Sequence, residues 1–167
     1  MKRIEAIEEI MRKVKSDEIV ISSTGMISRE VHMVKDRPLN FYMEGSMGCE
    51  LAIGLGIAIN SNYKVTVISG DASSLMSLGT LVLHKKMNPK NLRHYILDNG
   101  VHSSTGGQPT CSDVIDFEKL APNTKVIKVD KEKGDAPRIP LSPKQIKDRF
   151  LKAIKQGQSN SSNNPLT

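Results

Sequence analysis

The sequence predicts an α/β fold, a doubly wound parallel sheet with helices on both faces. Short apolar runs that suit buried strands alternate with segments in which apolar residues recur at helical spacing. The clearest strand is KVTVIS at 64–69, which is followed by a predicted helix at about 74–86 and a predicted strand at 92–97. This order is typical of a parallel sheet, because consecutive parallel strands need a crossover connection.

The other elements repeat this alternation, and we expect about five strands in all. Apolar spacing predicts a first helix over about 3–15, and Ser142 followed by Pro143 marks the start of the last helix. The other predicted strands are 18–22, 40–43 and TKVIKV, and the other predicted helices begin near Ser28, span about 47–60 and include DVIDFEKLA. Residues 1–156 are predicted to form the folded domain, and the polar tail 157–167 is predicted to be disordered.

The composition indicates a globular domain with a basic surface. Lys and Arg number 24 against 18 Asp and Glu, a net charge of +6. No apolar run approaches the roughly 20 residues of a membrane span, so we expect no membrane association. Nucleic-acid-binding motifs and stacking aromatics are lacking, so we do not expect a nucleic acid as partner. An anionic small ligand or an acidic protein suits the charge better. Cys49 and Cys111 form no CxxC motif and are interpreted as free thiols in a reducing, cytoplasmic compartment.

Two polar motifs follow neighbouring predicted strands. Gly70-Asp71 and Asp98-Asn99-Gly100 should lie at one edge of the molecule, because ligands of such sheets bind outside the carboxyl ends of the strands. Carboxylate, carboxamide and carbonyl oxygens suit Mg²⁺, and the helix that starts at DASS offers free N–H groups to a phosphate. Both motifs are also ordinary turn formers. Spacing alone therefore leaves a Mg²⁺-diphosphate site and a pair of turns as equal alternatives.

The surrounding segments resemble a known family. Gly70-Asp71 followed by Asn99 resembles the GDG…N signature of thiamine-diphosphate enzymes. The segments NFYMEGSMGCELAIGLGIAI, MNPKNL and LDNGVHSSTGGQPT are similar to the phosphonopyruvate decarboxylase and sulfopyruvate decarboxylase group, over about residues 18–120. The segments STGMISRE and STGGQ are more similar to the phosphonopyruvate branch. The resemblance implies a thiamine-diphosphate-binding fold with thiamine diphosphate and Mg²⁺ as cofactors.

The resemblance also implies a role for each matching residue. Asp71, Asn99 and the backbone carbonyl of Val101 would hold Mg²⁺. Gly45 would contact the aminopyrimidine through its carbonyl, and Met47 would be the wedge that bends the cofactor, although it also suits core packing. The other residues expected to bind the cofactor are Ser46, Gly70, Ala72, Ser73, Ser74 and His102. The two adjacent serines can cap the helix at the same time.

The implied substrate is a 2-oxo acid with an anionic head group, which needs cationic or N–H donors. Arg29, His102 and the loop 103–107 are the candidates, against the alternatives of a surface ion pair for the arginine and an exposed loop position for the histidine. The implied reaction converts phosphonopyruvate to phosphonoacetaldehyde and CO₂, and conversion of sulfopyruvate to sulfoacetaldehyde is the alternative. A non-catalytic cofactor-binding or regulatory module is a further alternative. An unrelated nucleotide-binding domain is disfavoured, because no glycine-rich fingerprint follows the first strand.

The resemblance implies that this chain supplies only one half of such an active site. Enzymes of this family also need a pyrimidine domain whose glutamate activates the cofactor, and the resemblance covers only the diphosphate domain. We therefore expect a beta-type subunit that is inactive without an alpha-type partner, with no activating role for Glu44 or Glu50. Two departures from the family pattern are Ala72 in place of the second glycine of the GDG signature and the loss of about one βα unit after TKVIKV.

Overall fold

The computed structural model describes residues 1–162, with side chains described to residue 157. Its main sheet has five parallel strands in the order β2-β1-β3-β4-β7, and a separate antiparallel pair is formed by β5 and β6. The strands are β1 (Ile19–Ser22), β2 (Asn40–Tyr42), β3 (Val65–Gly70), β4 (Leu92–Asp98), β5 (Val101–His102), β6 (Gln108–Pro109) and β7 (Thr124–Lys128). The predicted fold class and the expected number of strands in the sheet are confirmed.

The helices cover the sheet, and their bounds differ in places from the predictions. They are α1 (Arg3–Lys13), α2 (Met26–Val34), α3 (Glu50–Asn60), α4 (Asp71–Met76), α5 (Leu78–Met87), α6 (Phe117–Leu120) and α7 (Pro143–Ser162), with a 3₁₀ turn at Ser112–Val114. The single helix predicted over 74–86 is two helices that meet at Ser77, whose hydroxyl donates to the carbonyl of Ser73 at 3.3 Å. Such a bond competes with the helical ladder and favours a bend.

Two further helix ends differ from the expected positions. α3 starts at Glu50 rather than near 47, because Ser46 and Gly48 have φ of 54° and 92°, outside the right-handed helical region. α7 continues to Ser162, into the segment for which we predicted a disordered tail. The last part of that tail, 163–167, lies outside the described residues.

Both faces of the central strands β1 and β3 are buried, which is typical of a parallel sheet covered by helices on both sides. In β1, Ile19 and Ile21 belong to the cluster formed with α3 and α5, whereas Val20 belongs to the cluster formed with α1 and α2. α7 packs beside the edge strand β2, where the rings of Phe41 and Phe150 lie 5.1 Å apart. No helix within residues 1–162 is long and apolar enough to cross a membrane.

The strand order creates a crevice at the carboxyl ends of β1 and β3. The chain leaves β1 through α2 to reach β2 on one side, and then returns through α3 to reach β3 on the other side. Adjacent strands whose connections run in opposite directions define the switch point at which α/β sheets bind ligands. In the register of β3 and β4, Gly70 pairs with Leu97, so Asp71 and Asp98 leave the sheet at the same level.

Residues 130–141 connect β7 to α7 without any helix or strand. We call this segment the strap. It occupies the part of the chain in which we expected a missing βα unit, and Ala136 within it is buried. The start of the strap lies beside the N-terminal residue, because the amide of Asp130 donates to the carbonyl of Met1 at 3.0 Å.

Candidate functional site

A cavity of about 510 Å³ lies at the switch point. The predicted site residues that line it are Arg29, Met47, Gly70, Asp71, Ala72, Ser73, Asn99, Val101 and His102. Gly45 and Ser46 are exposed and Ser74 is buried, and none of these three lines the cavity. The fold therefore brings most of the predicted residues together, from loops that lie far apart in the sequence.

Asp71 begins α4 directly after β3 and is only 3% exposed. Its Oδ2 accepts a hydrogen bond from the hydroxyl of Thr110, a residue for which the sequence predicted no role. A buried carboxylate needs such a partner, because an unpaired buried charge is costly. Among the described residues that line the cavity, Asp71 is the only acidic one.

Asn99 lies just past β4, and its side-chain amide is oriented by two hydrogen bonds. Its Nδ2 donates to the hydroxyl of Ser103 at 2.7 Å, and its Oδ1 accepts from the amide of Val101 at 3.1 Å. The preceding Asp98 has a structural role instead, since it accepts from the hydroxyl of Ser112 at 2.8 Å and pairs with Lys128 at 2.5 Å. Asp98 at the end of β4 therefore has a structural role, whereas the next residue, Asn99, lines the cavity.

Ser73 joins the glycine segment before α3 to the first turn of α4. Its Oγ accepts from the amide of Gly48 at 2.7 Å and from the hydroxyl of Ser23 at 3.2 Å. A Cβ on Gly48 would lie 3.3 Å from the carbonyl oxygen of Ser73, and φ at Gly48 is positive, so this contact requires glycine. The neighbouring Ser74 hydroxyl is buried and has no hydrogen-bond partner in the described part of the chain.

Ala72 fits its position without strain. It lies inside α4, is 8% exposed, and is not among the residues with positive φ. A right-handed helical position accepts alanine as readily as glycine and orders more easily. The departure from the GDG signature therefore changes the shape of the cavity wall by one methyl group without requiring an unusual backbone.

Basic side chains line part of the cavity. Arg29 is half-buried, and its guanidinium lies 3.8 Å from the sulfur of Met26, whereas the partly buried His102 belongs to β5. Lys133 and Arg138 of the strap also line the cavity, and neither was identified from the sequence. They sit in a segment without periodicity, so no local pattern signalled their position.

The donor set fits a hard cation bound to a phosphate group. An aspartate carboxylate, an asparagine amide oxygen and a backbone carbonyl are the oxygen types that Mg²⁺ takes, and Asp71, Asn99 and Val101 all line this cavity. No group of three or more His, Cys, Asp or Glu side chains within the described chain is placed to hold a metal ion. The candidate set does not depend on such a group, since two of its three members are an amide and a carbonyl.

Comparisons with known proteins place the chain in a family. The family model for the C-terminal TPP binding domain of thiamine pyrophosphate enzymes matches residues 22–158. The chain is 44% identical to phosphonopyruvate decarboxylase of Streptomyces viridochromogenes over 119 residues, which is 71% of the chain and 30% of that enzyme. It is 50% identical to sulfopyruvate decarboxylase subunit beta of Methanocaldococcus jannaschii over 109 residues, 65% of the chain and 58% of that subunit. The chain thus spans less than two thirds of both relatives.

A third relative matches along nearly its whole length. Sulfopyruvate decarboxylase subunit beta of Methanothermobacter thermautotrophicus is 37% identical over 179 residues, covering 93% of the chain and 96% of that subunit. The alignment is longer than the 167 residues of the chain, so that subunit contains residues without a counterpart here.

Two solved structures share the fold at low sequence identity. A protein of Mycobacterium smegmatis described as a thiamin diphosphate-dependent enzyme has a TM-score of 0.61 at 14% identity, covering 93% of the chain and 29% of that protein. Benzoylformate decarboxylase of Polynucleobacter necessarius has a TM-score of 0.63 at 13% identity, covering 94% and 31%. The chain therefore belongs to the C-terminal TPP-binding domains of thiamine pyrophosphate enzymes, in the group that contains phosphonopyruvate decarboxylases and the beta subunits of sulfopyruvate decarboxylases.

Proposed function

We propose that this chain is the beta-type subunit of a heteromeric, thiamine-diphosphate-dependent decarboxylase that acts on a 2-oxo acid with an anionic head group. The observation that carries the proposal is the meeting of Asp71, Asn99 and Met47 in one cavity at the switch point of the sheet. When bound, thiamine diphosphate supplies the electron sink that decarboxylation of a 2-oxo acid requires. The chain supplies the groups that hold and orient it.

Each of these groups has one physical role. Asp71, the amide oxygen of Asn99 and the carbonyl of Val101 would bind Mg²⁺, which would neutralise part of the diphosphate charge. The bond from Gly48 to Ser73 holds the segment that carries Met47 beside this metal position. Met47 would limit the space open to the pyrimidine, and the exposed Gly45 would accept from its amino group through the backbone carbonyl.

The substrate proposed first is phosphonopyruvate, which yields phosphonoacetaldehyde and CO₂. It rests on the similarity of STGMISRE and STGGQ to the phosphonopyruvate branch and on the 44% identity to the Streptomyces enzyme. Sulfopyruvate is the second candidate, and it rests on the identities of 50% and 37% to the beta subunits of sulfopyruvate decarboxylase from Methanocaldococcus and Methanothermobacter.

The proposed partner is an alpha-type chain with a pyrimidine domain that brings the activating glutamate. An apolar face formed by α3, α4 and α5 supports a partner. α3 is apolar all round, which is typical of a helix covered on every side, yet its Ile59 is 46% exposed. On the adjoining helices, Met76, Val82 and Leu83 are 65%, 60% and 54% exposed. Exposed apolar side chains on helices that contact one another indicate a protein interface.

The apolar face is continuous with the cofactor cavity. A second cavity of about 510 Å³ lies between α3 and α5 and is lined by Ala52, Met76 and Leu83. Met47 lines both this cavity and the first. A partner that covers the face therefore reaches the cofactor position, which supports a pyrimidine-domain chain as the occupant.

Substitution of the apolar face tests the partner. We expect Leu83→Asp to dissociate the complex and abolish its decarboxylase activity, because a charge on a buried interface position stays unpaired. Leu151→Asp on α7 is the matched control, since Leu151 is also an exposed leucine, at 46%. Equal co-purification of the partner with both variants would place the interface elsewhere.

A cytoplasmic location is also proposed. Cys49 and Cys111 are both free and exposed, which suits a reducing compartment.

The function is tested with the chain purified together with its partner. CO₂ release from phosphonopyruvate and sulfopyruvate is measured with and without Mg²⁺ and thiamine diphosphate. We expect cofactor-dependent release, which Asp71→Ala abolishes, and the preferred acid identifies the branch. A complex that binds thiamine diphosphate but turns over neither acid would contradict the proposed activity and favour the non-catalytic module.

A further inference from the structure

The strap is fastened to the body of the protein by a buried ion pair. Arg3 of α1 is 9% exposed and forms two hydrogen bonds with the carboxylate of Glu30, Nε to Oε2 at 2.8 Å and Nη2 to Oε1 at 2.7 Å. The same Nη2 donates to the carbonyl of Lys133 at 2.7 Å. The guanidinium therefore links α1, α2 and the strap in a single arrangement, with its charge already balanced by Glu30.

Gly134 allows the strap to lie directly on this ion pair. Its φ is +78°, and a Cβ there would lie 2.6 Å from Oε1 of Glu30 and 2.8 Å from Nη2 of Arg3. Both the backbone conformation and the contact exclude a side chain at this position. The start of the strap is held separately, because the hydroxyl of Ser103 donates to the carbonyl of Lys131 at 3.2 Å. The course of the strap is thus fixed by specific contacts on both sides of the cavity.

This course brings three positively charged side chains to the cavity. Lys133 and Arg138 of the strap line it together with Arg29 of α2. None of these three side chains forms an ion pair with an acidic group in the described part of the chain. Arg29 and Arg138 also line an adjoining cavity of about 390 Å³, where Glu44 is the acidic residue among the described lining residues. Converging cations repel one another, so such a cluster indicates an anionic ligand.

We propose that Arg29, Lys133 and Arg138 form a recognition position for a tetrahedral oxyanion, and that Arg3 positions the strap that carries two of them. This proposal rests on the proposed function, which supplies two sources of that group. One is the terminal phosphate of the cofactor, and the other is the phosphonate or sulfonate of the substrate. A guanidinium binds such a group through two parallel N–H bonds, which suits Arg29 and Arg138 to the task.

Two binding measurements on the complex of this chain with its partner distinguish the sources. Calorimetric titration with thiamine diphosphate in Mg²⁺, compared with thiamine monophosphate, reports on the cofactor phosphate. Titration with 3-phosphonopropionate, which lacks the 2-oxo group and cannot react, reports on the head group, with butyrate as the uncharged-head comparison. Steady-state KM for phosphonopyruvate and sulfopyruvate accompanies the second measurement.

We expect Arg138→Ala to raise the dissociation constant either of thiamine diphosphate or of 3-phosphonopropionate by about tenfold or more, because a hydrogen bond between charged groups is lost. Arg138→Lys keeps the charge and should recover part of that loss. Lys131→Ala is the matched control, since it removes one positive charge from the same strap at a residue that does not line this cavity. The control should change each dissociation constant by less than about twofold.

The role of Arg3 predicts a coupling that general destabilisation does not produce. Arg3→Met should release the strap and raise the same dissociation constant that Arg138→Ala raises. In the double variant the two effects should not add, because both remove one group from one position. Gly134→Ala disturbs the contact of the strap with the Arg3–Glu30 ion pair without changing any charge. It provides a second test of the strap if circular dichroism shows that Arg3→Met folds poorly.

The outcomes separate this proposal from the proposed function. Unchanged binding of thiamine diphosphate and of 3-phosphonopropionate in both Arg29→Ala and Arg138→Ala overturns the recognition position, whereas the proposed function stands if the wild-type complex binds thiamine diphosphate. A wild-type complex that fails to bind thiamine diphosphate overturns the proposed function instead. Additive effects of Arg3→Met and Arg138→Ala would overturn the positioning role of Arg3.

Discussion

The hydroxyl of Thr110 donates a buried hydrogen bond to the carboxylate of Asp71, across 39 residues of chain. Thr110 is 6% exposed, and its amide donates to the carbonyl of Gly100 at 3.0 Å. One residue thus connects the carboxylate after β3 to the turn after β4 that carries Asn99. The two proposed metal ligands are therefore held in relation to each other by the protein before any ion binds.

Thr110→Val tests this connection, since valine keeps the shape and removes the hydroxyl. We expect the free energy of unfolding to fall by about 1–3 kcal/mol, because the Asp71 carboxylate loses a buried donor. The dissociation constant for thiamine diphosphate in Mg²⁺ should rise several-fold. Urea denaturation measures the free energy of unfolding, and calorimetry measures the dissociation constant. Thr105→Val in the exposed loop is the control and should change stability by less than about 0.5 kcal/mol.

The convergence at the sheet edge was predictable because it depends on local signals. KVTVIS and LRHYIL are strong strand patterns, and parallel pairing places the residues at their carboxyl ends side by side. Asp71 and Asn99 were therefore identified as neighbours from the sequence, and both line the cavity. The division of roles within Asp98-Asn99 was not predictable, since it depends on Ser112 and Lys128, which reach Asp98 only after folding.

The strap and the break at Ser77 could not be predicted for different physical reasons. Residues 130–141 have no periodicity, and their course is set by long-range contacts to Arg3 and Ser103. The break depends on which acceptor the Ser77 hydroxyl takes, a choice that helix propensity does not record. The role of Thr110 was not predictable because it also depends on a long-range contact, since its partner Asp71 lies far away in the sequence.

Two glycines of α3 give opposite predictions for the same substitution. A Cβ on Gly54 would lie 2.3 Å from Cγ2 of Val67, whereas a Cβ on Gly56 meets nothing within 4 Å. Gly54→Ala should therefore lower the free energy of unfolding by about 1–3 kcal/mol through overpacking against β3. Gly56→Ala should raise it by about 0.5–1 kcal/mol through helix propensity. Parallel chemical denaturation of the two variants checks the difference, and equal stabilities would contradict this packing of α3 on the sheet.

Restoring the glycine of the family signature at position 72 should not improve the protein. Ala72 is in a right-handed helical conformation, so Ala72→Gly increases the freedom of the unfolded chain without relieving strain. We expect the free energy of unfolding to fall by about 0.5–1 kcal/mol and the affinity for thiamine diphosphate to stay within about threefold. A sharp rise in affinity or in turnover would show instead that the alanine methyl group obstructs the cofactor.

Two buried histidines lie between α5 and the sheet, on the side away from the strap. His84 is 0% exposed, and neither ring nitrogen has a hydrogen-bond partner in the described chain. The ring of His94 lies 6.4 Å from it and bonds the hydroxyl of Ser69 through Nε2 at 2.9 Å. Burial lowers the pKa of His84, and burial together with the neighbouring His84 lowers the pKa of His94 from 6.5 to about 3.

These lowered pKa values make the protein less stable in acid. Below pH 6.5 the unfolded chain binds protons at these histidines, whereas folded His94 stays neutral until about pH 3, so stability falls as the pH decreases between these values. The slope is at most about 1.4 kcal/mol per pH unit for each histidine. His84→Leu removes one of them together with its unpartnered nitrogens. We expect it to raise the free energy of unfolding by roughly 1 kcal/mol at pH 7 and to reduce the slope between pH 6 and pH 4. Urea denaturation of the wild type and of His84→Leu across this range measures the difference. If the free energy of unfolding changes with pH in the same way in both proteins, His84 binds protons equally in the folded and the unfolded state, which would contradict the prediction.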